Sequence, residues 1–438
     1  MPAGPHTATD PQTRGLLRVV TAGSVDDGKS TLVGRLLYDS RAVMVDQMSA
    51  LEEASERLGY DGAELALLTD GLRSEREQGI TIDVAYRYFA TAHRSFVLAD
   101  TPGHVQYTRN MVTGASTADV AVVLVDARAG VLEQTRRHLA VAALLRVGQI
   151  VLAVNKMDLV DFAEERFDEV AETAAEVLAA LAVPPPSICD TRHESSHLVA
   201  VPVVATAGDN VVTRSERMPW YAGVPLLELL ESLPASQPAT PGARFPVQLV
   251  IRPRTAEFRD FRGYAGRAVS GTLHVGDPVT VLPSGRTSSV TSVETADGPL
   301  TEAGLDRSVV LRLADDLDIS RGDLIVGAGA EPAVTRTATA TLCWLAEEPL
   351  SADRSYRVRH GTRDVRGTVA VRDRLDVSTL QSSPADELGL NDLGRVTLTT
   401  TEPLVIDRYA DSPRTGSLVL VDELTGATVA AGMVESTS

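Results

Sequence analysis

Cysteine and positive charge are both scarce in this sequence. Its two cysteines, Cys189 and Cys343, lie far apart and form no C-x-x-C pair. This pattern argues against a disulfide-stapled secreted domain and favours a reducing compartment. Lysine and arginine number 41 against 59 acidic residues, which gives a net charge of −18. That balance disfavours a protein whose main task is to neutralise nucleic-acid phosphates.

Long apolar runs are lacking as well. The longest ones, such as residues 120–125, fall far short of the roughly 20 residues that a membrane-spanning helix needs. Residues 1–14 are rich in Pro, Thr and Asp and show no apolar core of a signal peptide, so they predict a disordered tail. We therefore expect a cytoplasmic protein that contacts no membrane.

The length of 438 residues is enough for roughly two to four domains. From 15 to 234, short apolar runs alternate with helical periodicity, which predicts an α/β domain with a mostly parallel sheet. The predicted strands are 16–22, 84–89, 95–99, 119–125, 150–154 and 198–204, and the predicted helices are 30–37, 44–59, 107–115, 134–147, 164–181 and 225–231.

The pattern changes after residue 234. Residues 235–242 are rich in proline and small side chains, which is typical of a linker. Beyond them, short Val/Thr/Leu strands are separated by Gly, Pro and Asp turns. This spacing predicts two all-β barrel domains, at 243–332 and 333–438.

Residues 23–31 fit G-x-x-x-x-G-K-[ST], the phosphate-binding P-loop. The strand before them and the helix after them aim backbone N–H groups and a helix N-terminus at one point. Lys29 is predicted to reach the β- and γ-phosphates, and the Ser30 hydroxyl to ligate Mg²⁺. The predicted phosphate-binding residues are Gly23, Ser24, Val25, Asp26, Asp27, Gly28, Lys29, Ser30 and Thr31.

The segment N-K-M-D at 155–158 follows a predicted strand of the same sheet. Open α/β sheets bind ligands beyond the carboxyl ends of their strands, so this loop is expected to meet the P-loop. The Asp158 carboxylate can accept two hydrogen bonds from guanine, whereas adenine would leave it unsatisfied. Lys156 is expected over the base, and Asn155 is expected to tie this loop to the P-loop.

A third loop, D-T-P-G-H, follows strand 95–99. Asp100 is predicted to hold Mg²⁺ through a water, and the Gly103 N–H to sense the γ-phosphate. His104 is a candidate for positioning the attacking water, with an exposed turn histidine as the alternative. Thr81 is predicted to complete the Mg²⁺ shell in the GTP state, with a strand-initiating threonine as the alternative. The predicted catalytic residues are thus Lys29, Thr81 and His104, and the predicted metal ligands are Ser30, Thr81 and Asp100.

Two other clusters carry weaker signals. Cys189, Asp190, His193 and His197 share one polar loop, but four ligands so close together without a C-x2-C pair make a poor tetrahedral zinc site. Arginines and aromatic residues alternate between 252 and 267, as in a nucleic-acid platform. The acidic composition favours instead a charged barrel hairpin that docks on the first domain or on a partner.

These motifs, in this order, resemble the translation-factor class of GTPases, including elongation factor Tu, in which a P-loop G domain precedes two β-barrels. A closer resemblance is to the large GTPase subunits of bacterial ATP sulfurylase (sulfate adenylyltransferase subunit 1). Beyond the Asp-Asp pair of the P-loop, it is carried by E-R-E-Q-G-I-T-I-D-V-A-Y-R (75–87), T-R-R-H (135–138), M-P-W-Y (218–221), F-R-G-Y-A-G (261–266) and I-S-R-G-D (319–323). It covers nearly the whole chain from about residue 16.

The resemblance implies a GTP hydrolase that works as one subunit of a heteromeric sulfate adenylyltransferase, in sulfate assimilation and cysteine biosynthesis. GTP and Mg²⁺ are the implied cofactors, and Ala205 and Thr206 are the implied contacts of the purine loop. The sequence carries one P-loop and no S-G-G-x-D-S loop of the ATP-pyrophosphatase type. The adenylyl-transfer site is therefore expected on a partner, the small adenylyltransferase subunit, where GTP hydrolysis would drive ATP and sulfate to adenylyl sulfate and pyrophosphate.

Two departures from the family pattern stand out. Val105 occupies the place of a glutamate after the switch histidine, and Val204-Ala205-Thr206 replaces Ser-Ala-Leu in the purine loop. The second change removes a side-chain hydrogen bond near the base. Two alternatives stay open at this point: a translation-type GTPase that delivers RNA to the ribosome, and a divergent copy that serves a specialised sulfation pathway.

Overall fold

A computed structural model describes residues 15–40, 84–103, 108–181, 198–235, 242–253, 261–377 and 379–437. The chain divides into two compact units, Met1–Gln237 with Val377–Leu380, and Pro238–Asp376 with Gln381–Ser438. The predicted tail, the predicted helix at 44–59, the Cys189 loop and most of the predicted linker lie outside the described residues.

The first unit is built on one sheet. Its described strands are β1 (Leu16–Gly23), β2 (Ala85–Ala90), β3 (Ser95–Asp100), β4 (Val120–Asp126), β5 (Gln149–Asn155) and β6 (Leu198–Pro202). They lie in the order β2-β3-β1-β4-β5-β6, and every pair is parallel except β2 with β3. The prediction of a mostly parallel α/β sheet is confirmed, and each strand falls within two residues of its predicted bounds.

Helices cover both faces of this sheet. The described helices are α1 (Lys29–Asp39), α2 (Thr108–Ala115), α3 (Glu133–Leu144), α4 (Glu164–Ala180) and α5 (Leu226–Ser232), with a 3₁₀ turn at Met157–Val160. Leu17 and Val19 of β1 share a core with Leu32 of α1 and Leu226 of α5. Because side chains alternate along a strand, Val20 points to the opposite face, where α2 and α3 pack against β1. Cover on both sides explains why every residue of β4 is buried.

The helix predicted at 134–147 ends earlier than its predicted bound. Apolar periodicity extends through Val147, but α3 ends at Leu144. Arg146 adopts a left-handed φ of 51°, and the Val147 N–H returns to the carbonyl of Ala142 at 3.1 Å. This backbone turn satisfies carbonyls at the helix end, so it stops the helix while the apolar pattern continues.

In its described residues, the second unit contains two seven-stranded β-sheets that each close into a barrel, and one two-stranded sheet. The strands of the first group are β7 (Arg244–Ile251), β8 (Gly263–Arg267), β9 (Leu273–His274), β10 (Pro278–Leu282), β11 (Arg286–Thr295), β12 (Gly298–Leu300), β13 (Glu302–Ala303), β14 (Ser308–Leu313) and β15 (Leu324–Gly327). The larger sheet runs β10-β15-β7-β8-β14-β11-β12, and the pairing of β10 with β11 closes it, while β9 and β13 form the two-stranded sheet.

The second barrel follows the same principle. Its strands are β16 (Ala333–Trp344), β17 (Ser355–His360), β18 (Arg363–Asp376), β19 (Gln381–Pro384), β20 (Leu393–Ile406), β21 (Ser417–Asp422) and β22 (Thr428–Thr437), with a one-turn helix α6 (Pro413–Gly416). They run β17-β21-β22-β16-β20-β18-β19, and β17 pairs with β18 to close the ring. The prediction of two β-barrels after the α/β domain is confirmed, while the domain boundaries drawn from the sequence stay predictions.

A buried ion pair joins the two barrels of this unit. Arg244 on β7 is 2% exposed, and its Nε and Nη2 each donate to the Asp407 carboxylate at 3.1 Å. The two parallel bonds form the fork geometry that makes Arg–carboxylate pairs strong and directional. Within the ranges described above, no helix is both long and apolar enough to span a bilayer.

Candidate functional site

The P-loop connects β1 to α1, as its motif predicts. Gly28 has a φ of +88°, and a Cβ there would come closer than 3.0 Å to the Asn155 side-chain nitrogen. Only glycine fits this position, since it lacks the Cβ and adopts left-handed backbone freely. The first turn of α1 then begins at Lys29, so its backbone N–H groups face the loop.

Asp27 closes the P-loop on itself. The Ser24 N–H donates to the Asp27 carboxylate at 2.7 Å, and the Asp27 side chain is buried. Burial raises the pKa of the Asp27 carboxyl above its ordinary value, against the opposing effect of the Ser24 N–H. The Asp27 carboxylate thus stabilises the conformation of the loop itself. Other backbone groups of the loop are left to face a ligand.

Lys29 and Asp100 come together beneath this loop. Lys29 is 7% exposed, and its Nζ lies 4.0 Å from the Asp100 Oδ1. The Thr21 hydroxyl donates to the same oxygen at 2.9 Å. The structure therefore brings the P-loop lysine and the aspartate of the third loop to one buried point.

Asn155 joins three loops at the carboxyl ends of the strands. Its Nδ2 donates to the Asp27 carbonyl at 2.8 Å, and its Oδ1 accepts from the Ala205 N–H at 3.0 Å. Asn155 is 2% exposed, so both bonds are shielded from water. One side chain thereby holds the phosphate loop, the N-K-M-D loop and the 204–206 segment at one edge of the sheet.

Lys156 is held in place by a carboxylate that the sequence analysis missed. Its Nζ lies 3.0 Å from Asp126 Oδ2 and also donates to the Asp26 carbonyl. Arg128 donates to both Asp126 oxygens, from Nε at 3.1 Å and from Nη2 at 2.6 Å. Burial alone would raise the pKa of Asp126, but the bonds from Arg128 and Lys156 lower it strongly. The signal in the sequence was an aspartate at the end of a buried strand, two residues before an arginine.

Arg35 is a second residue that the sequence did not reveal. It lies on α1, and its Nε donates to the Ala205 carbonyl at 3.1 Å. Its Nη2 donates to the Thr206 carbonyl. Because both acceptors are backbone atoms of a distant segment, no motif predicts the contact. Arg35 ties the 204–206 segment to the helix that follows the P-loop.

The remaining predicted residues fall around the same edge. Asp158 is exposed in the 3₁₀ turn, and Ser30 and Thr31 are half-buried in the first turn of α1. A Cβ on Gly103 would lie 2.6 Å from the Gly23 carbonyl, so this backbone packs directly on the P-loop. His104 and Thr81 lie outside the described residues.

A buried histidine lies close to Lys29. His138 on α3 is 1% exposed, and its Nε2 lies 3.0 Å from Gln134 Nε2. Burial, together with the charges of Lys29 and Arg137, lowers the pKa of His138 to about 3. The imidazole is therefore neutral at physiological pH, because burial and a neighbouring cation both disfavour its protonated form.

Two family models match this chain. Residues 14–238 match the elongation factor Tu GTP binding domain, and residues 337–435 match the GTP-eEF1A C-terminal domain-like family. The first match makes this a GTP-binding protein of the GTPase class. Among solved structures, Sup35 complexed with GDP is similar with a TM-score of 0.42 and 23% identity, over 100% of this chain and 97% of that one.

Relatives of known name match nearly the whole chain. The bifunctional enzyme CysN/CysC of Mycobacterium tuberculosis is 52% identical over 96% of this chain and 67% of its own length. Sulfate adenylyltransferase subunit 1 of Aeromonas hydrophila is 50% identical over 97% of this chain and 86% of its own length. Its counterpart from Bacteroides fragilis is 48% identical over 96% and 86%. With such identity over such a span, the chain belongs to the sulfate adenylyltransferase subunit 1 family of translation-factor-type GTPases.

Proposed function

We propose that this chain is the GTP-hydrolysing subunit of a heteromeric sulfate adenylyltransferase. GTP hydrolysis in the first unit drives ATP and sulfate to adenylyl sulfate and pyrophosphate in a small partner subunit. The observation that carries the proposal is that Asn155 donates to the Asp27 carbonyl and accepts from the Ala205 N–H, which joins the phosphate loop to both candidate base loops. Membership of the sulfate adenylyltransferase subunit 1 family favours this function over delivery of RNA to the ribosome.

The P-loop fits a nucleotide phosphate. The Ser24 hydroxyl is buried and has no hydrogen-bond partner in the described part of the chain. Such an atom is costly unless a ligand satisfies it. Lys29 is held nearby against Asp100, where its charge would neutralise phosphate oxygens. Backbone N–H groups of residues 28–31, at the start of α1, would supply the remaining donors.

The base loops fit guanine. Lys156 is fixed by Asp126 and by the Asp26 carbonyl, and its alkyl chain would cover the base. The exposed Asp158 carboxylate would accept from the ring N–H and the exocyclic amine. The Ala205 and Thr206 backbone, held by Asn155 and Arg35, would border the same base. This set of contacts excludes adenine, which lacks the matching pair of donors.

Magnesium is proposed through Ser30, Thr81 and Asp100. Among residues that the structure describes, no group of three or more His, Cys, Asp or Glu could hold a metal by itself. The oxygens of Ser30, Thr81 and Asp100 suit Mg²⁺, which prefers a few protein oxygens beside phosphate and water oxygens. Bound Mg²⁺ would neutralise charge on the phosphates. The buried Asp100 carboxylate, held by Thr21, would be preset for that task.

His104 and Thr81 complete the proposed site from outside the described residues. His104 would orient the attacking water, and Thr81 would engage only while the γ-phosphate is present. Replacing His104 with alanine should slow hydrolysis with little loss of GTP affinity. A large loss of affinity would make His104 a binding residue instead.

Coupling to the partner has a thermodynamic condition. If the GTP state tightens the partner's hold on its intermediate, that intermediate must tighten GTP binding by the same factor. The two effects can be measured independently. We place the complex in the cytoplasm, where ATP, GTP and sulfate meet.

The test is to copurify this chain with its small partner and to measure adenylyl sulfate at equilibrium. GTP should raise the yield above that reached without guanine nucleotide. A non-hydrolysable GTP analogue is the matched control and should leave the yield at the lower level. Equal yields under all three conditions would refute the coupling.

A further inference from the structure

The M-P-W-Y segment at 218–221 contacts the backbone that follows the Asp158 turn. None of its side chains has a role in the site described above. Trp220 is one of two tryptophans in the chain. Its ring packs on Phe167 of α4 with centroids 5.4 Å apart, and Tyr221 packs against both rings. Phe167 belongs to the helix that follows the turn carrying Asp158, so this aromatic cluster packs next to that turn.

The backbone that leaves the Asp158 turn is unusual. The 3₁₀ turn ends at Val160, and Asp161 and Phe162 follow with φ angles of 54° and 57°. Two successive non-glycine residues in the left-handed region are unfavourable by themselves. They persist where surrounding contacts fix them. Some neighbouring group must therefore hold this part of the loop.

Trp220 and Arg217 supply that hold. The Trp220 indole N–H donates to the Phe162 carbonyl at 2.9 Å. The Arg217 guanidinium stacks over the Phe162 ring at 4.8 Å from its centroid. Phe162 is therefore held through its carbonyl by one residue and through its ring by the other.

Arg217 also reaches the other base loop. It donates to both oxygens of Asp209, with Nε at 3.2 Å from Oδ1. The Ser215 hydroxyl donates to the same oxygen at 2.6 Å. Asp209 in turn accepts the Val204 N–H on its carbonyl at 3.2 Å. The 204–206 segment and the Asp158 turn are thus connected through Asp209, Arg217 and Phe162.

We propose that Trp220 and Arg217 are positioning residues for guanine recognition, which brace the Asp158 turn against the 204–206 segment. They touch no ligand and act through the backbone of Phe162 and the carboxylate of Asp209. The inference rests on the proposed guanine site. It adds that selectivity for guanine depends on the M-P-W-Y segment as well as on Asp158.

Inosine nucleotides give a direct readout of this brace. Guanine carries an exocyclic amine that donates to the Asp158 carboxylate, whereas hypoxanthine lacks it. The ratio of dissociation constants for IDP and GDP therefore reports how well Asp158 is placed. We expect the wild-type chain to favour GDP by at least on the order of tenfold. Loss of stability alone would not change this ratio, because it is measured on folded protein.

The experiment measures both dissociation constants for the full chain and for Trp220→Phe. Phenylalanine keeps a six-membered aromatic ring and removes the N–H donor together with the five-membered ring of the indole. In Trp220→Phe, the ratio of the IDP to the GDP dissociation constant should fall on the order of fivefold, which is the effect of one hydrogen bond. Trp344→Phe is the matched control, because the Trp344 indole N–H also donates to a backbone carbonyl, that of Glu348 at 2.8 Å, in the second unit. Its ratio should equal that of the wild type.

Arg217→Gln provides a second, independent arm at a half-exposed side chain. It should narrow the ratio as Trp220→Phe does. Wild-type ratios in both variants would overturn the brace while leaving the guanine site intact. Equal affinity of the wild type for GDP and IDP would instead overturn the guanine site, and the brace with it.

Discussion

The Asn155 side chain donates a 2.8 Å hydrogen bond to the carbonyl of Asp27, which lies 128 positions earlier in the chain. The bond links the end of β5 to the turn after β1, two strands that are separated by β4 in the sheet. Because Asn155 also accepts from Ala205, one buried amide sets the distance between the phosphate loop and both base loops.

Replacing Asn155 with alanine should weaken nucleotide binding and folding together. The Asp27 carbonyl and the Ala205 N–H would lose buried partners, at roughly 1 kcal/mol or more each. We expect GTP affinity to fall on the order of tenfold, measured by calorimetry. Asn155→Asp keeps the acceptor for Ala205 and removes the donor for Asp27, so it separates the two bonds. Unchanged affinity in both variants would contradict the bridging role.

Asp158→Asn should shift the base preference from guanine to xanthine. The change replaces one of two acceptors with a donor, and xanthine offers the complementary acceptor. Competition between GTP and XTP measures the shift. Asp161→Asn is the matched control, since Asp161 is also exposed, lies three residues further on and has a left-handed φ of 54° that asparagine tolerates. A variant at 158 that still prefers GTP would refute the placement of this loop.

Gly28→Ala should abolish GTP binding through a steric clash. The new methyl group would collide with the Asn155 amide, which must then move and break its bond to Asp27. Gly276→Ala is the control, because Gly276 has a φ of +98° and no atom within 4 Å of a built Cβ. That variant should lose only about 1 kcal/mol of stability from backbone strain. Thermal unfolding and GTP titration together distinguish strain from the clash.

His138 should make the chain less stable in acid. Burial, with the nearby Lys29 and Arg137 charges, lowers its folded pKa to about 3 from 6.5. Between these values the unfolded chain binds a proton that the folded chain excludes, so the free energy of unfolding falls as the pH drops. This contribution amounts to at most about 1.4 kcal/mol per pH unit.

His138→Gln removes that contribution while it keeps a polar side chain of similar length. The free energy of unfolding, from urea titrations between about pH 6 and 4, should decline less steeply in the variant than in the wild type. Carboxylates elsewhere affect both proteins equally. Parallel curves would contradict the assignment of a buried neutral imidazole.

The sequence alone determined the α/β sheet, the two barrels and the order of the nucleotide loops. Strands such as β4 were predictable because a strand covered on both faces must be apolar throughout. The P-loop was predictable because its tight turn needs left-handed backbone that glycine adopts freely, as at Gly28 with its φ of +88°. Both constraints restrict the residue types at neighbouring positions, so they are visible as patterns in the sequence.

Only the tertiary structure decided which groups hold the loops together. Asp126 fixes Lys156, Arg35 fixes the 204–206 carbonyls, and Trp220 fixes the turn after Asp158. The partners in each pair are separated by 30 to 170 positions along the chain, and in the last two contacts the acceptor is a backbone carbonyl, which every residue type carries. No sequence pattern can specify such an acceptor, because its position depends on how the strands and helices pack.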